Sequence, residues 1–156
     1  MYRRILVPVD GSAAASEGLD EAIELARHLQ ARIWLLHIIE PVVMVPVEAM
    51  AATAVQQVIE GVRIAGVELL KECEQKVAKA GIEVDQELIE TVGRSAGECI
   101  VNKVEETKSD LIVCGTHGRR GVRRLLMGSD AEYVARRSPV PVLLVRHERS
   151  AVREAA

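Results

Sequence analysis

At 156 residues with a formal charge of -3, the chain has the length of one domain able to bury a core, and its charge balance gives no reason to expect nucleic acid as a partner. With no Phe, one Trp and two Tyr it offers little aromatic surface for stacking bases, which argues against single-strand binding as well. Cys73, Cys99 and Cys114 form no C-x-x-C pair, so neither a disulfide framework nor a zinc site is suggested, and no apolar run approaches membrane-spanning length; the expectation is a cytoplasmic protein with no membrane partner.

Ile5 to Val9 reads as a strand with little alternation, as a parallel sheet covered on both faces requires. Asp10-Gly11-Ser12 turns the chain at its carboxyl end. Ala15, Leu19, Ala22, Ile23, Ala26 and Leu29 then recur at helical spacing and mark an amphipathic helix. Ile33 to Ile39 is the second strand, apolar apart from His37, which reads as a hydrogen-bonded core histidine. Pro41 to Pro46, with two prolines and several valines, is expected to be a surface excursion.

A long helix follows, with Val55, Val58, Ile59, Val62, Leu69, Cys73 and Val77 as its apolar stripe and Gly81 at the stop position. Gly61 and Gly66 weaken it by about 1 kcal/mol each relative to Ala, unless they serve close packing on a neighbour. Ile82 to Ile89 alternates apolar and acidic positions, which predicts a strand with one wetter face at a sheet edge. Ser95-Ala96-Gly97-Glu98 has the form of a capping box and opens a helix through Ile100 and Val104.

Leu111 to Cys114 is a buried strand by length and composition, and it breaks at Gly115 into a loop rich in glycine and arginine that ends at Gly128-Ser129. A helix runs from Ser129 to Arg137, and Val140 to Val145 is the fifth strand. Strand, glycine loop and helix start in succession make a phosphate site, because glycines allow close backbone approach while free N–H groups and the helix dipole favour an anion. The rest, residues 148–156, is a polar and alanine-rich tail outside the 1–147 domain.

Strands alternating with helices imply right-handed crossovers and a parallel sheet, with the ligand beyond the strands' carboxyl ends where the winding reverses. Asp10, Ile38 and Gly115 gather there. The loop lacks the Gly-Lys-Ser/Thr ending of a P-loop, and G-T-H-G-R-R-G is not the dinucleotide fingerprint. No catalytic constellation is apparent.

Gly115, two residues, Gly118, nine residues, then Gly128-Ser129 resembles the ATP-binding signature of the universal stress protein family. Ile5-Leu6-Val7-Pro8-Val9-Asp10-Gly11-Ser12 and Pro139 to Val145 resemble that family's first and last strands, so the likeness covers about residues 2 to 146. It implies a doubly wound five-stranded α/β fold, order 3-2-1-4-5, binding ATP with Mg2+ as a stress-response or regulatory protein with at most slow hydrolysis. Carried over position by position, Pro8, Val9 and Asp10 lie against the nucleoside, and the backbone of Ile38 faces adenine. Gly115, Thr116, His117, Gly118, Arg119, Arg120 and Gly121, with Gly128, Ser129, Asp130 and Ala131, take ribose and phosphates.

Three features carry rival roles. Ser129-Asp130-Ala131-Glu132 is itself capping-box-like, so Ser129 serves as cap or as phosphate ligand. Arg119, Arg120, Arg123 and Arg124 are either a solvated loop or contacts to triphosphate or an acidic partner. Asp130 departs from the family's usual aliphatic residue, and facing the triphosphate it would make ATP binding weaker or more dependent on Mg2+. The resemblance further implies a homodimer through Val140–Val145, whose edge needs cover. The alternatives are a dimeric interaction module of the same fold that does not depend on nucleotide, or a slow metal-dependent ATPase using Asp10.

Overall fold

The computed structural model describes residues 1–40, 52–116 and 127–146. In chain order these form β1 (Arg4–Pro8), α1 (Ala13–Leu29), β2 (Arg32–Ile39), α2 (Ala52–Lys79), β3 (Val84–Glu90), α3 (Ala96–Thr107), β4 (Leu111–Gly115), α4 (Ser129–Arg137) and β5 (Val142–Val145). The five strands make one parallel sheet, as the alternation of elements predicts, in the order β3-β2-β1-β4-β5 that the family resemblance implies for a doubly wound α/β fold.

Side-chain alternation divides the core into two layers. Ile5, Val7, Ile33, Leu35, Leu111 and Val113 face α1 and α2, meeting Leu19, Ala22, Ile23 and Ala26 of the first helix and Leu70 and Val77 of the second. Leu6, Leu36, Ile112 and Cys114 face the other way, onto Ile100 and Val104 of α3 and Val134 of α4. Each fully buried Leu, Ile or Val contributes about 1.5–3 kcal/mol, so the sheet's two-sided burial dominates the stability. The amino end of β1 is tied to β4 by Asp110, whose carboxylate accepts the N–H groups of Arg3 and Arg4 at 2.8 to 3.0 Å.

The stripe expected along α2 shifts. Val58 is 37% exposed, whereas Leu70, off the expected stripe, is 4% exposed. Leu70, Cys73 and Val77 keep a three-and-four spacing that turns the buried line one residue away from Leu69. Gly66 does serve close packing, since a Cβ there would lie 2.9 Å from His37 Cδ2 on β2, but Gly61 faces open space. Gly81, at φ +75, stops the helix as expected, and β3 is the partly exposed edge strand the alternation predicts, although it starts at Val84. The Pro41 to Pro46 excursion and the 148–156 tail lie outside the described residues.

Candidate functional site at the carboxyl edge of the sheet

β1 ends at Pro8, Val9 N–H makes a last bond to Leu36 O at 2.9 Å, and the chain then turns. Asp10 organises that turn: its Oδ1 accepts the N–H of Ser12 at 2.9 Å. Ser12 in turn caps α1, its Oγ accepting the Ala15 N–H at 3.2 Å. Gly11 between them sits at φ +79, where a Cβ is strained. The cap at Ser12 escaped the sequence reading, although a Ser ahead of an alanine run is a recognised start signal.

β2 reaches beyond the end of β1. Along a parallel strand, successive residues turn their N–H and C=O to alternate neighbours. Leu36 O accepts from Val9 of β1 and Ile39 O accepts from Thr91 beyond β3, so Ile38 presents its backbone groups on the β1 side, where β1 has already ended. No hydrogen bond among the described residues uses them. Next to it, buried His37 is held by Val9, its Nδ1 lying 2.6 Å from the Val9 carbonyl oxygen. That contact fits the core role read from the sequence and braces the carboxyl end of β1.

Gly115 ends β4 directly under α1. A Cβ there would stand 2.6 Å from the Ala14 carbonyl carbon and 2.9 Å from its Cβ, so only glycine lets the first turn of α1 sit on this strand end. Thr116, which is buried, donates its N–H to Val145 O at 2.9 Å and accepts the Gly128 N–H at 2.8 Å. Thr116 and Gly128 thus stand side by side, and the first turn of α4 is fixed beside the end of β4. His117, Gly118, Arg119, Arg120, Gly121, Arg123 and Arg124 lie outside the described residues.

The capping box expected at Ser129 does not form. The N-cap is Gly128, because Glu132 N–H bonds to Gly128 O at 2.9 Å and starts the helix one residue earlier. The Glu132 carboxylate is engaged by Arg136 Nε at 3.0 Å. Ser129 is thus the first helical residue, exposed, and the N-cap, a glycine, places no side chain on the leading amides of α4. Those amides, with buried Ala131 behind them, form a dipole-positive end that favours an anion.

Asp130 has a partner that the sequence reading did not include. Its Oδ1 accepts the N–H of Gly97 at 2.8 Å, in the first turn of α3. Neither partner's role was readable locally, since they stand on different helices. On α3 itself the capping box of Ser95 and Glu98 forms as expected, through bonds of 3.2 and 2.9 Å.

Cys114, buried on the α3 and α4 side of β4, has its thiol pushed up to about 11 by burial, so it stays a neutral core residue at ordinary pH. Among the described residues no group of three or more His, Cys, Asp or Glu is placed to hold a metal ion, and no helix is long and apolar enough to cross a membrane.

The sequence profile of the Universal stress protein family matches residues 1–146. A universal stress protein of Methanocaldococcus jannaschii, MJ0531, is 33% identical over 148 residues, covering 94% of this chain and 83% of the relative. Among solved structures, the hypothetical protein MJ0577 superposes with a TM-score of 0.81 at 25% identity, covering 96% of this chain and 99% of that one. The fold is also shared with a universal stress protein in complex with cAMP (TM-score 0.68, 23% identity, 93% of this chain and 97% of that one). A further match is the Archaeoglobus fulgidus protein in complex with dAMP (TM-score 0.64, 23% identity, 92% and 98%).

Proposed function

The chain belongs to the universal stress protein family, and on that premise we propose that it is a regulatory protein binding ATP with Mg2+ across the carboxyl ends of β1, β2 and β4. The observation that carries this reading is the Thr116–Gly128 hydrogen bond, which sets a glycine-capped helix start beside a glycine-ended strand at the point where the winding reverses. The leading amides of α4, through Ser129 and Ala131, would take phosphate oxygens. Ile38 would offer its outward backbone groups to the adenine edge, with Pro8, Val9 and Asp10 beside the nucleoside. Gly115 and Thr116 would open the phosphate loop that His117, Gly118, Arg119, Arg120 and Gly121 continue. Mg2+ arrives as the counter-ion of the triphosphate.

Family members that hold cAMP and dAMP support an adenine nucleotide at the level of the fold. A regulatory role is favoured over turnover because Asp10, the carboxylate at the strand ends, is committed to the Ser12 N–H and thereby to the shape of its own turn. Hydrolysis, if any, is slow in this reading, and the protein acts in the cytoplasm as a homodimer joined through the β5 edge.

Calorimetric titration with ATP and Mg2+, with GTP as comparator, tests the proposal. Saturable binding at one site per chain, tighter for ATP, is the expected result, with a matching rise in melting temperature. No heat and no thermal shift at millimolar ATP would overturn it in favour of an interaction module that has kept the fold without the ligand.

A further inference from the structure

We propose that the cavity between α1 and α2 is a second ligand site, one that takes a small apolar molecule carrying a protonated amine. The cavity measures about 220 Å³ and lies on the helical face of the sheet. Its floor is apolar, with Val9 and Leu19 at 5% and 2% exposure and Leu69 beside them. That is more room than the roughly 150 Å³ apolar cavity that accepts a benzene ring, and less than a drug-sized pocket of about 300 Å³ or more. A single ring with a short arm is the size that fits.

The rim decides the charge. Lys76 lines the opening, but its Nζ is committed to Asp20 at 2.6 Å. Glu72 lines it too, is exposed, and has no ion pair among the described residues. An anionic head group would meet a carboxylate with no free cation among the described lining residues to balance it, whereas an ammonium would complete the rim. Because Glu72 is exposed, the charge gives only a roughly two- to fivefold preference, and the apolar body supplies the rest. The site is distinct from the one proposed for nucleotide but adjoins it: Val9 borders both, and in the β1–α1 turn Gly11 and Ser12 line the cavity while Asp10 shapes the strand end.

Cys73 stands in the cavity wall and gives a direct readout, because it is half-buried whereas Cys99 and Cys114 are buried. Burial raises its thiol above the ordinary range, with Lys76 opposing and Glu72 adding, so labelling is followed at mildly alkaline pH. The whole protein is treated with methyl methanethiosulfonate, and modification of each cysteine is followed by peptide mass spectrometry with phenethylamine, benzyl alcohol or phenylacetate present.

Phenethylamine is expected to slow Cys73 labelling saturably, by about tenfold at ten times its dissociation constant. Benzyl alcohol should protect less and phenylacetate least. In Glu72→Gln, phenethylamine should lose its advantage over benzyl alcohol while the alcohol's protection stays as it was. Absence of saturable protection, or equal protection by the amine and the acid, overturns the proposal. Protection that extends equally to Cys99 and Cys114 also overturns it, as general stabilisation. Competition by ATP with Mg2+ would overturn the separateness of the site and assign the cavity to the nucleotide, whereas failure to bind nucleotide leaves the amine test unaffected.

Discussion

The carboxylate of Asp130 accepts the backbone N–H of Gly97 across 2.8 Å, so a side chain in the first turn of α4 caps the first turn of α3. The two helix starts are also in steric contact, since a Cβ on Gly97 would lie 3.0 Å from Tyr133 Cβ and 3.1 Å from Asp130 O. The negative charge at position 130 thereby serves a helix N-terminus, where it is favourable, and one of its two oxygens is already engaged there.

Asp130→Val should therefore act first on stability. Loss of the cap and of a charged acceptor costs about 1–2 kcal/mol, or roughly 2–8 °C in melting temperature for a domain of this size. Any change in ATP affinity should be equal in EDTA and in excess Mg2+. Calorimetry showing a much larger gain in EDTA would mean that the carboxylate leaves Gly97 and faces the triphosphate after all.

Gly115→Ala tests the steric seat of α1. The added Cβ would stand 2.6 Å from Ala14 C and 2.7 Å from Ala14 O, which are backbone atoms of a capped helix start and cannot swing aside. The first turn of α1 must lift, at a cost of about 1–3 kcal/mol from overpacking. The Asp10–Ser12 turn moves with it, so nucleotide affinity should fall along with stability. Unchanged urea unfolding and unchanged binding would show that the strand end has slack.

The parallel sheet, its two-sided covering and the glycine-ended fourth strand were legible because each rests on local pattern: apolar runs, helical spacing, a loop after a strand; the strand order came only from the family resemblance. The limits of local pattern show in two matching tetrapeptides. Ser95-Ala96-Gly97-Glu98 forms the capping box that Ser129-Asp130-Ala131-Glu132 does not. The difference is tertiary, for Gly128 N–H is held by Thr116 O, which sets the helix start one residue earlier, and Arg136 takes the glutamate. The Asp130–Gly97 bond likewise joins residues far apart in sequence, and no periodicity announces it.

Lys103 gives a test of charge. Its side chain is 11% exposed, and its ammonium bonds Glu87 at 2.8 Å and Glu106 as well. Burial alone would lower its pKa, but the two carboxylates outweigh this and raise it above the ordinary lysine range. A raised folded pKa stabilises fully below the unfolded value, about 10.4, and the contribution is lost as pH climbs through the folded value. Lys103→Met should cost about 1–2 kcal/mol at pH 7, between an exposed pair and a buried one, since Glu106 is largely solvated. Parallel urea titrations of the two proteins should converge above about pH 10.5; a constant gap across that range would assign the loss to packing of the side-chain stem.

The free edge of β5 yields the sharpest test of assembly. Ile112 N–H bonds Pro141 O and Thr116 N–H bonds Val145 O, so Pro141, Leu143 and Val145 turn their backbone groups toward β4. By alternation, Val142 and Leu144 turn theirs outward, to the sheet edge. If two chains pair there, Leu144→Pro removes one N–H from the interface and none from the β4–β5 ladder, and edge strands tolerate proline. The variant should fold, keep the wild-type circular dichroism and scatter light as a monomer at tens of micromolar, where the wild type scatters as a dimer. Leu143→Pro serves as the contrasting case, because it strips the β4 side and should cost about 3 kcal/mol or more of stability. A Leu144→Pro protein that remains dimeric would move the interface away from the strand edge, and a monomeric wild type would remove the dimer altogether.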